Sequence, residues 1–471
     1  MSTFDLCVIG SGPAGQRAAI QAAKLGKRVA VVERREVVGG VAINTGTIPS
    51  KALREAILHL SGFKHRSVYG EGYAVKDAIT IEDLTFWCQQ VIKNEIDVVR
   101  AQLVRNGVEL LTGTASFAGP NRVEFRHGNE TSAVEARHFL IATGTRPARP
   151  DHIGFDHARV VDADGLLNLP RLPRTLTVVG GGVIGTEYAS MMQALGVKVT
   201  LIEARHGLLD FLDDEIAESL QYHLRQAGAT LRLGERVVRV DVADAPEGSR
   251  SPDGKLVEAR LESGKVLRSE ALLYCVGRQG CTDDLNLDAI GLSADDRGRL
   301  AVNEHYQTEA SHVYAGGDVI GFPALASTSM EQGRLAACHM FGVRSNSTPE
   351  LFPFGVYAVP EISMVGWTER ALTEQDIPFE SGVAHYREIA RGQLLGDLTG
   401  MLKLLVHQDS RQVLGVHCIG QGATELIHIG QAVMSLKGTV DYFVESVFNY
   451  PTLAECYKVA AHAVVNKLEH V

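Results

Sequence analysis

Two glycine clusters, each followed by an acid at the end of the next apolar run, are the residues of this chain most clearly placed to do chemistry. The first is Gly10, Gly12 and Gly15 with Glu33. The second is Gly180, Gly182 and Gly185 with Glu203. Glycines at this spacing let a strand turn tightly into a helix and bring backbone N–H groups up to a pyrophosphate at the positive helix end. The acid can accept hydrogen bonds from a ribose diol. One such run alone is a weak signal. Here strand, helix, second strand and acid surround both copies, so each reads as a dinucleotide-binding unit and the pair as an internal repeat.

A third segment is informative for what it lacks. From Gly39 to Lys51 the chain reads Gly-Gly-Val-Ala-Ile-Asn-Thr-Gly-Thr-Ile-Pro-Ser-Lys, without cysteine. It resembles the active-site segment of the flavoprotein disulfide reductases (class I pyridine nucleotide-disulfide oxidoreductases), whose two cysteines fall at Ala42 and Thr47. A dithiol offers a thiolate nucleophile and stores two electrons as a disulfide. Neither alanine nor threonine does either. Phe448-Asn-Tyr-Pro-Thr-Leu-Ala-Glu455 resembles the same family's His-Pro-Thr segment followed by glutamate. The family's acid–base histidine is Tyr450 here, and a phenol of ordinary pKa about 10 is a poor proton carrier at neutral pH. Glu455 also reads as the far end of a capping box from Thr452 that opens the last helix.

Thr308 through Asp318 is similar to that family's second FAD motif, and Asp318 would meet the ribityl chain and flavin pyrophosphate. The resemblance therefore implies FAD on the first unit and a nicotinamide dinucleotide on the second. For FAD it implies contacts from Gly10, Gly12, Gly15, Glu33, Arg34, Gly40, Thr143, Gly144, Asp318 and Ala326. For NAD(P) it implies Gly180, Gly182, Gly185, Glu203, Arg205 and Gly277. It also implies that Lys51 lies beside the flavin with Glu187 as its partner; Glu187 is expected in the first turn of its helix. A cation there stabilises electron density on the ring. Thr47 either tunes the flavin or fills space.

Gly46–Arg54, Val356–Ser363 and Phe448–Thr452 together resemble the soluble pyridine nucleotide transhydrogenase branch of that family, over essentially the whole chain. Ala42 departs from members that keep the first cysteine. The implied reaction is hydride transfer between NADPH and NAD⁺ through FAD, in ping-pong order. Glu203 favours the NAD ribose and repels a 2′-phosphate, whereas Arg205 and His206 can offset that. An NADH-dependent diaphorase or quinone reductase is the alternative on the same fold, and a non-catalytic flavoprotein a further one.

The remaining sequence must position these groups. Its 471 residues suggest about three domains. A hydrophobic content of 45% and a net charge of −10 fit a globular protein whose partners are neither nucleic acid nor an anionic membrane. No apolar run spans a bilayer, and the first strand, Phe4–Ile9, leaves no room for a targeting peptide. Seven cysteines without a C-x-x-C pair read as buried thiols of a cytoplasmic protein, with Cys275 and Cys281 a minor redox candidate. The histidines lack metal-ligand spacing.

Periodicity predicts helices over 48–60, 81–105, 215–227, 423–436 and 452–468, with a polar loop at 245–254 and a strand pair about Asp409–Arg411. The expected fold is α/β: two Rossmann-like dinucleotide-binding domains plus an α+β C-terminal dimerisation domain. The FAD domain would be residues 1–147 and 278–347, the NAD(P) domain 148–277 and the dimerisation domain 348–471. The resemblance implies a homodimer or larger homo-oligomer, with Ala460–Leu468 supplying an apolar helix face.

Overall fold

The computed structural model describes residues 3–70, 72–247, 251, 253–345 and 351–469. Residues 248–250 and 252 of the predicted polar loop, and the boundary at Thr348, lie outside them. The chain gathers into two compact units, one of residues 1–53, 85–148 and 277–349, the other of residues 54–84, 149–276 and 350–471. Residues 54–84 thus group with the second unit, although the sequence places them in the FAD domain. The helices Thr47–Leu60 and Ile81–Arg105 both run across that division.

In the first unit, parallel strands lie in the order Glu109–Thr112, Val29–Glu33, Thr3–Ile9, Glu130–Ile141, Val313–Ala315. Side chains alternate across a strand, so Leu6 and Val8 enter one core while Cys7 and Ile9 enter the other. With both faces covered, Val-Ala-Val-Val-Glu of the second strand is buried throughout. The strand order reverses beside Thr3–Ile9, the usual place for a ligand crevice in such a sheet. Helix Pro13–Lys24 packs closely on helix Ala326–Met340, because a Cβ at Gly333 would fall on the Ala14 carbonyl.

The second unit repeats the parallel plan with strands Thr230–Leu233, Lys198–Glu203, Thr175–Val179, Ala271–Tyr274 and Val160–Val161. It also carries an antiparallel sheet ordered Phe354–Val356, Ile362–Gly366, Val413–Ile419, Met401–His407, Phe379–His385. Helices Ala423–Ser435 and Glu455–Leu468 cover it. Lys403 of this sheet is 2% exposed and meets Asp213 at 2.8 Å, Glu215 at 2.9 Å and Glu369 at 3.0 Å. Asp213 begins the helix Asp214–Gln226, so this ion cluster ties the parallel and antiparallel layers of the unit together.

Two sequence expectations fail here. The last helix starts at Glu455, not Thr452, and no capping box forms: the Thr452 hydroxyl donates to the Asn449 carbonyl, while Ala454 at the cap is already helical. Ala460, Ala461 and Val464 are fully buried in the unit's own core, where a Cβ at Gly382 would fall on the Ala460 carbonyl. That face is core and is not available to a partner.

Candidate functional site

The first glycine turn is built from backbone approaches that leave no room for side chains. Gly10 has φ +104°, and a Cβ there would fall on the Ala142 carbonyl. A Cβ at Gly15 would fall on the Gly10 carbonyl, and one at Gly40 would lie 2.8 Å from the Gly12 Cα. Gly12 is the N-cap of the helix that follows and makes no side-chain cap, so the first helical N–H groups are left for a ligand. The Glu33 carboxylate, 9% exposed, accepts from the Ser11 N–H (2.9 Å), the Ser11 hydroxyl (2.6 Å) and the Arg35 N–H (3.0 Å). The Ser11 hydroxyl oxygen accepts in turn from the Gly39 N–H at 3.1 Å. Glu33 therefore braces the turn.

These groups open onto one pocket with about 1120 Å³ of empty space, its mouth included. Of the predicted FAD residues, Gly10, Gly12, Glu33, Arg34, Gly40, Thr143, Gly144, Asp318 and Ala326 line it, while Gly15 lies beneath the turn. The Thr143 hydroxyl is buried there without a hydrogen-bond partner, as expected of a group reserved for a ligand. Asp318 accepts from the Thr145 hydroxyl (3.3 Å), which accepts from Arg278 Nε (2.7 Å). The Gly317 N–H donates to Gln332 Oε1 at 2.8 Å. Ser11, Thr145, Arg278 and Gln332 escaped the sequence reading. Only Ser11, lying inside the fingerprint, carried a signal. The bare glycine turn, the uncapped helix and the orphaned hydroxyl fit the pyrophosphate and polar groups of FAD.

Ala42 and Thr47 line the same pocket, on the helical turn Gly40–Asn44 and at the first residue of helix Thr47–Leu60. Lys51 follows one turn after Thr47, with Nζ 3.3 Å from the Ser50 hydroxyl. Cys281 is the one cysteine among the described residues that line the pocket. None of the seven cysteines is in a disulfide. Burial pushes the Cys7 and Cys456 thiols up to about 12 and that of Cys88 to about 11, far from a neutral-pH thiolate.

The second glycine turn has the same wiring. Gly180 has φ +109°, a Cβ at Gly185 would fall on the Gly180 carbonyl, and Gly182 is an N-cap without a side-chain bond. Glu203 Oε2 accepts from the Gly181 N–H at 2.5 Å and Oε1 from the Arg205 N–H at 2.9 Å, matching Glu33 with Ser11 and Arg35. The Arg205 guanidinium is extra: its Nε lies 3.0 Å from Glu203 Oε1 and its Nη1 2.5 Å from Asp210 Oδ1. Burial pushes the Glu203 carboxyl up, but Arg205 and the two backbone N–H groups outweigh it and hold the carboxyl below the usual range. The exposed His206 ring packs over Gly234.

Gly277 groups with the first unit, where its carbonyl accepts from the Ala148 N–H. Glu187 sits in the second turn of helix Val183–Ala194, past reach of the helix-end dipole expected for a first-turn position. It is 3% exposed and accepts from the Tyr357 N–H at 2.8 Å, while the Ser190 hydroxyl accepts from the Val359 N–H at 3.0 Å. Tyr450, in the histidine's place, is 73% exposed. Glu455 Oε2 is buried without a partner.

Residues 4–333 match the family model of the pyridine nucleotide-disulphide oxidoreductases, and residues 352–461 that of their dimerisation domain. A soluble pyridine nucleotide transhydrogenase of Mycobacterium bovis is 53% identical over 99% of this chain and 98% of its own length. One from Colwellia psychrerythraea is 44% identical with the same coverage. Among solved structures, the HOCl-induced flavoprotein disulfide reductase RclA of Escherichia coli superimposes with a TM-score of 0.87 at 26% identity, over 98% of this chain and all of that one. LpdA of Mycobacterium tuberculosis gives 0.87 at 25% identity, over 98% and 99%. The chain thus belongs to the pyridine nucleotide-disulphide oxidoreductases, flavoproteins that use FAD, and within them to the soluble pyridine nucleotide transhydrogenase branch.

Proposed function

We propose that this protein moves a hydride between NADPH and NAD⁺ in ping-pong order, through FAD in the first cradle and without a redox disulfide. The observation that carries this is the combination of two fully formed dinucleotide cradles with Ala42 and Thr47 where the family places its thiols. Its relatives' names point the same way. FAD, when bound, supplies the two-electron carrier.

The chain's own residues bind, orient and exclude water. The N–H groups behind Gly12 face the pyrophosphate, Glu33 the ribose diol and Asp318 the ribityl chain. Lys51 provides the cation that favours negative charge on the ring, and Thr47 at most tunes it. Glu187 is held in the second unit by the Tyr357 N–H, which donates to its carboxylate. Gly180, Gly182, Gly185, Glu203 and Arg205 take the two nicotinamide dinucleotides in turn. Hydride carries both electrons, so no general base is needed at Tyr450.

The dimerisation-domain match, with Leu436 84%, Val447 94% and Tyr450 73% exposed, supports a homodimer or larger homo-oligomer. Seven cysteines without a disulfide among them support a cytoplasmic location. Among the described residues no helix is long and apolar enough to cross a membrane. Initial rates with NADPH varied at several fixed thio-NAD⁺ concentrations test the kinetic order. Parallel double-reciprocal lines are expected. Intersecting lines would contradict a ping-pong order, and turnover with NADH and a quinone but never with NADPH would favour the diaphorase reading.

A further inference from the structure

Arg205 does not stand free at the end of its strand. Its guanidinium is bracketed by two carboxylates, Glu203 through Nε (3.0 Å) and Nη2 (3.4 Å), and Asp210 through Nη1 (2.5 Å). The Glu203 oxygens are themselves crowded, because the Gly181 and Arg205 N–H groups also donate to them.

Asp210 is placed by a built loop. Leu208 and Leu209 before it are each 1% exposed. Leu209 holds φ +53°, a left-handed conformation that costs a leucine about 1–2 kcal/mol and persists only where its surroundings enforce it. Its N–H donates to the Gly181 carbonyl, and a Cβ at Gly181 would lie 2.5 Å from Leu208 Cδ2. Buried leucines packed on the glycine turn therefore fix the backbone that presents Asp210, whose side chain, 56% exposed, reaches back to Arg205.

From this geometry we infer that Asp210 is a specificity-determining residue of the second cradle, holding Arg205 on Glu203 and so biasing the site toward NAD(H) over NADP(H). The inference rests on the second cradle being the nicotinamide-dinucleotide site. A 2′-phosphate brings a charge near −2 and needs an arginine turned toward it. Arg205 can turn only by leaving two carboxylates, and both then face the phosphate. A ribose diol instead needs an acceptor on Glu203, and Asp210 keeps the guanidinium when Glu203 gives up part of its contact. Asp210 thus acts through Arg205 by retaining it and acts directly by repelling the phosphate.

The test is titration of the FAD-loaded protein with NADP⁺ and with NAD⁺, followed by perturbation of the flavin band, together with kcat/KM for NADPH and NADH. Asp210→Asn should raise the preference for NADP(H) over NAD(H) about tenfold, with most of the change in Kd and KM. Asp210→Glu should restore the wild-type ratio. Arg205→Gln in the Asp210→Asn background should remove the part of the gain that runs through Arg205 and leave only the smaller part due to lost repulsion. Equal changes in both dinucleotides, or none, would overturn the inference. The binding ratio is read without turnover, so a protein that failed to transhydrogenate would still decide it.

Discussion

Glu33 and Glu203 each do two jobs with one carboxylate. Each ties the turn that starts the following helix, through Ser11 or Gly181, and each offers its remaining lone pairs outward. The first also takes the Ser11 hydroxyl at 2.6 Å, a short charge-assisted bond. Glu33→Ala should therefore weaken FAD retention and loosen the cradle together. Hydrogen bonds to charged groups are worth about 1.5–3 kcal/mol, which corresponds to a fall in FAD affinity of about 10- to 100-fold. The flavin-to-protein absorbance ratio after dialysis reads this directly, and a variant that keeps its full flavin complement would contradict it.

At the scale of elements, the two strand–turn–helix units are superimposable in their constraints, so one substitution should have two separable outcomes. Gly15→Ala and Gly185→Ala each drive a methyl into a backbone carbonyl of the turn, that of Gly10 and of Gly180 respectively. The first should abolish FAD binding. The second should leave a yellow protein whose flavin band no longer responds to either nicotinamide dinucleotide; a normal response would contradict the assignment of the second cradle.

The Lys403 cluster belongs to this scale too. Burial pushes the Asp213 carboxyl up, but His417 when protonated and Lys403 outweigh it and pull it below the usual range. Burial likewise pulls Lys403 down, and Asp213, Glu215 and Glu369 raise it well above an ordinary lysine. A depressed carboxyl stabilises fully above its unfolded pKa of about 3.9, and that stability is lost as pH falls through the folded value. A raised lysine stabilises fully below about 10.4 and loses this as pH rises through its folded value. The cluster's contribution should be flat between about pH 5 and pH 10. Lys403→Met, which strands Asp213, should cost about 3 kcal/mol in that window, measured by chemical denaturation, with a smaller loss below pH 3.

For the molecule as a whole, the parts legible in the sequence are those with local, repeated rules. Glycine spacing, the strand-end acids and the helix Ile81–Arg105 are set by neighbours in the chain, and the structure has them where spacing and periodicity put them. What was not legible depends on distant partners. Lys403 and Asp213 are far apart in sequence and meet only in the folded unit. Thr452 met the local rule for a capping box, yet its hydroxyl turns back to Asn449. The apolar stripe Ala460–Val464 reads equally well as interface or core, and the strand Phe379–His385 decides for core. Asp210 carries no local signal, because its contact with Arg205 depends on the left-handed turn at Leu209.

The central claim is that this scaffold passes electrons between two nicotinamide dinucleotides with no thiol in the path. The most direct measurement is anaerobic mixing of the FAD-loaded protein with NADPH, removal of excess nucleotide, then addition of NAD⁺, with the flavin absorbance followed throughout. The account predicts bleaching by NADPH and full recovery on NAD⁺, unchanged after alkylation of accessible thiols. Absence of bleaching by NADPH, or bleaching that NAD⁺ fails to reverse, would contradict it.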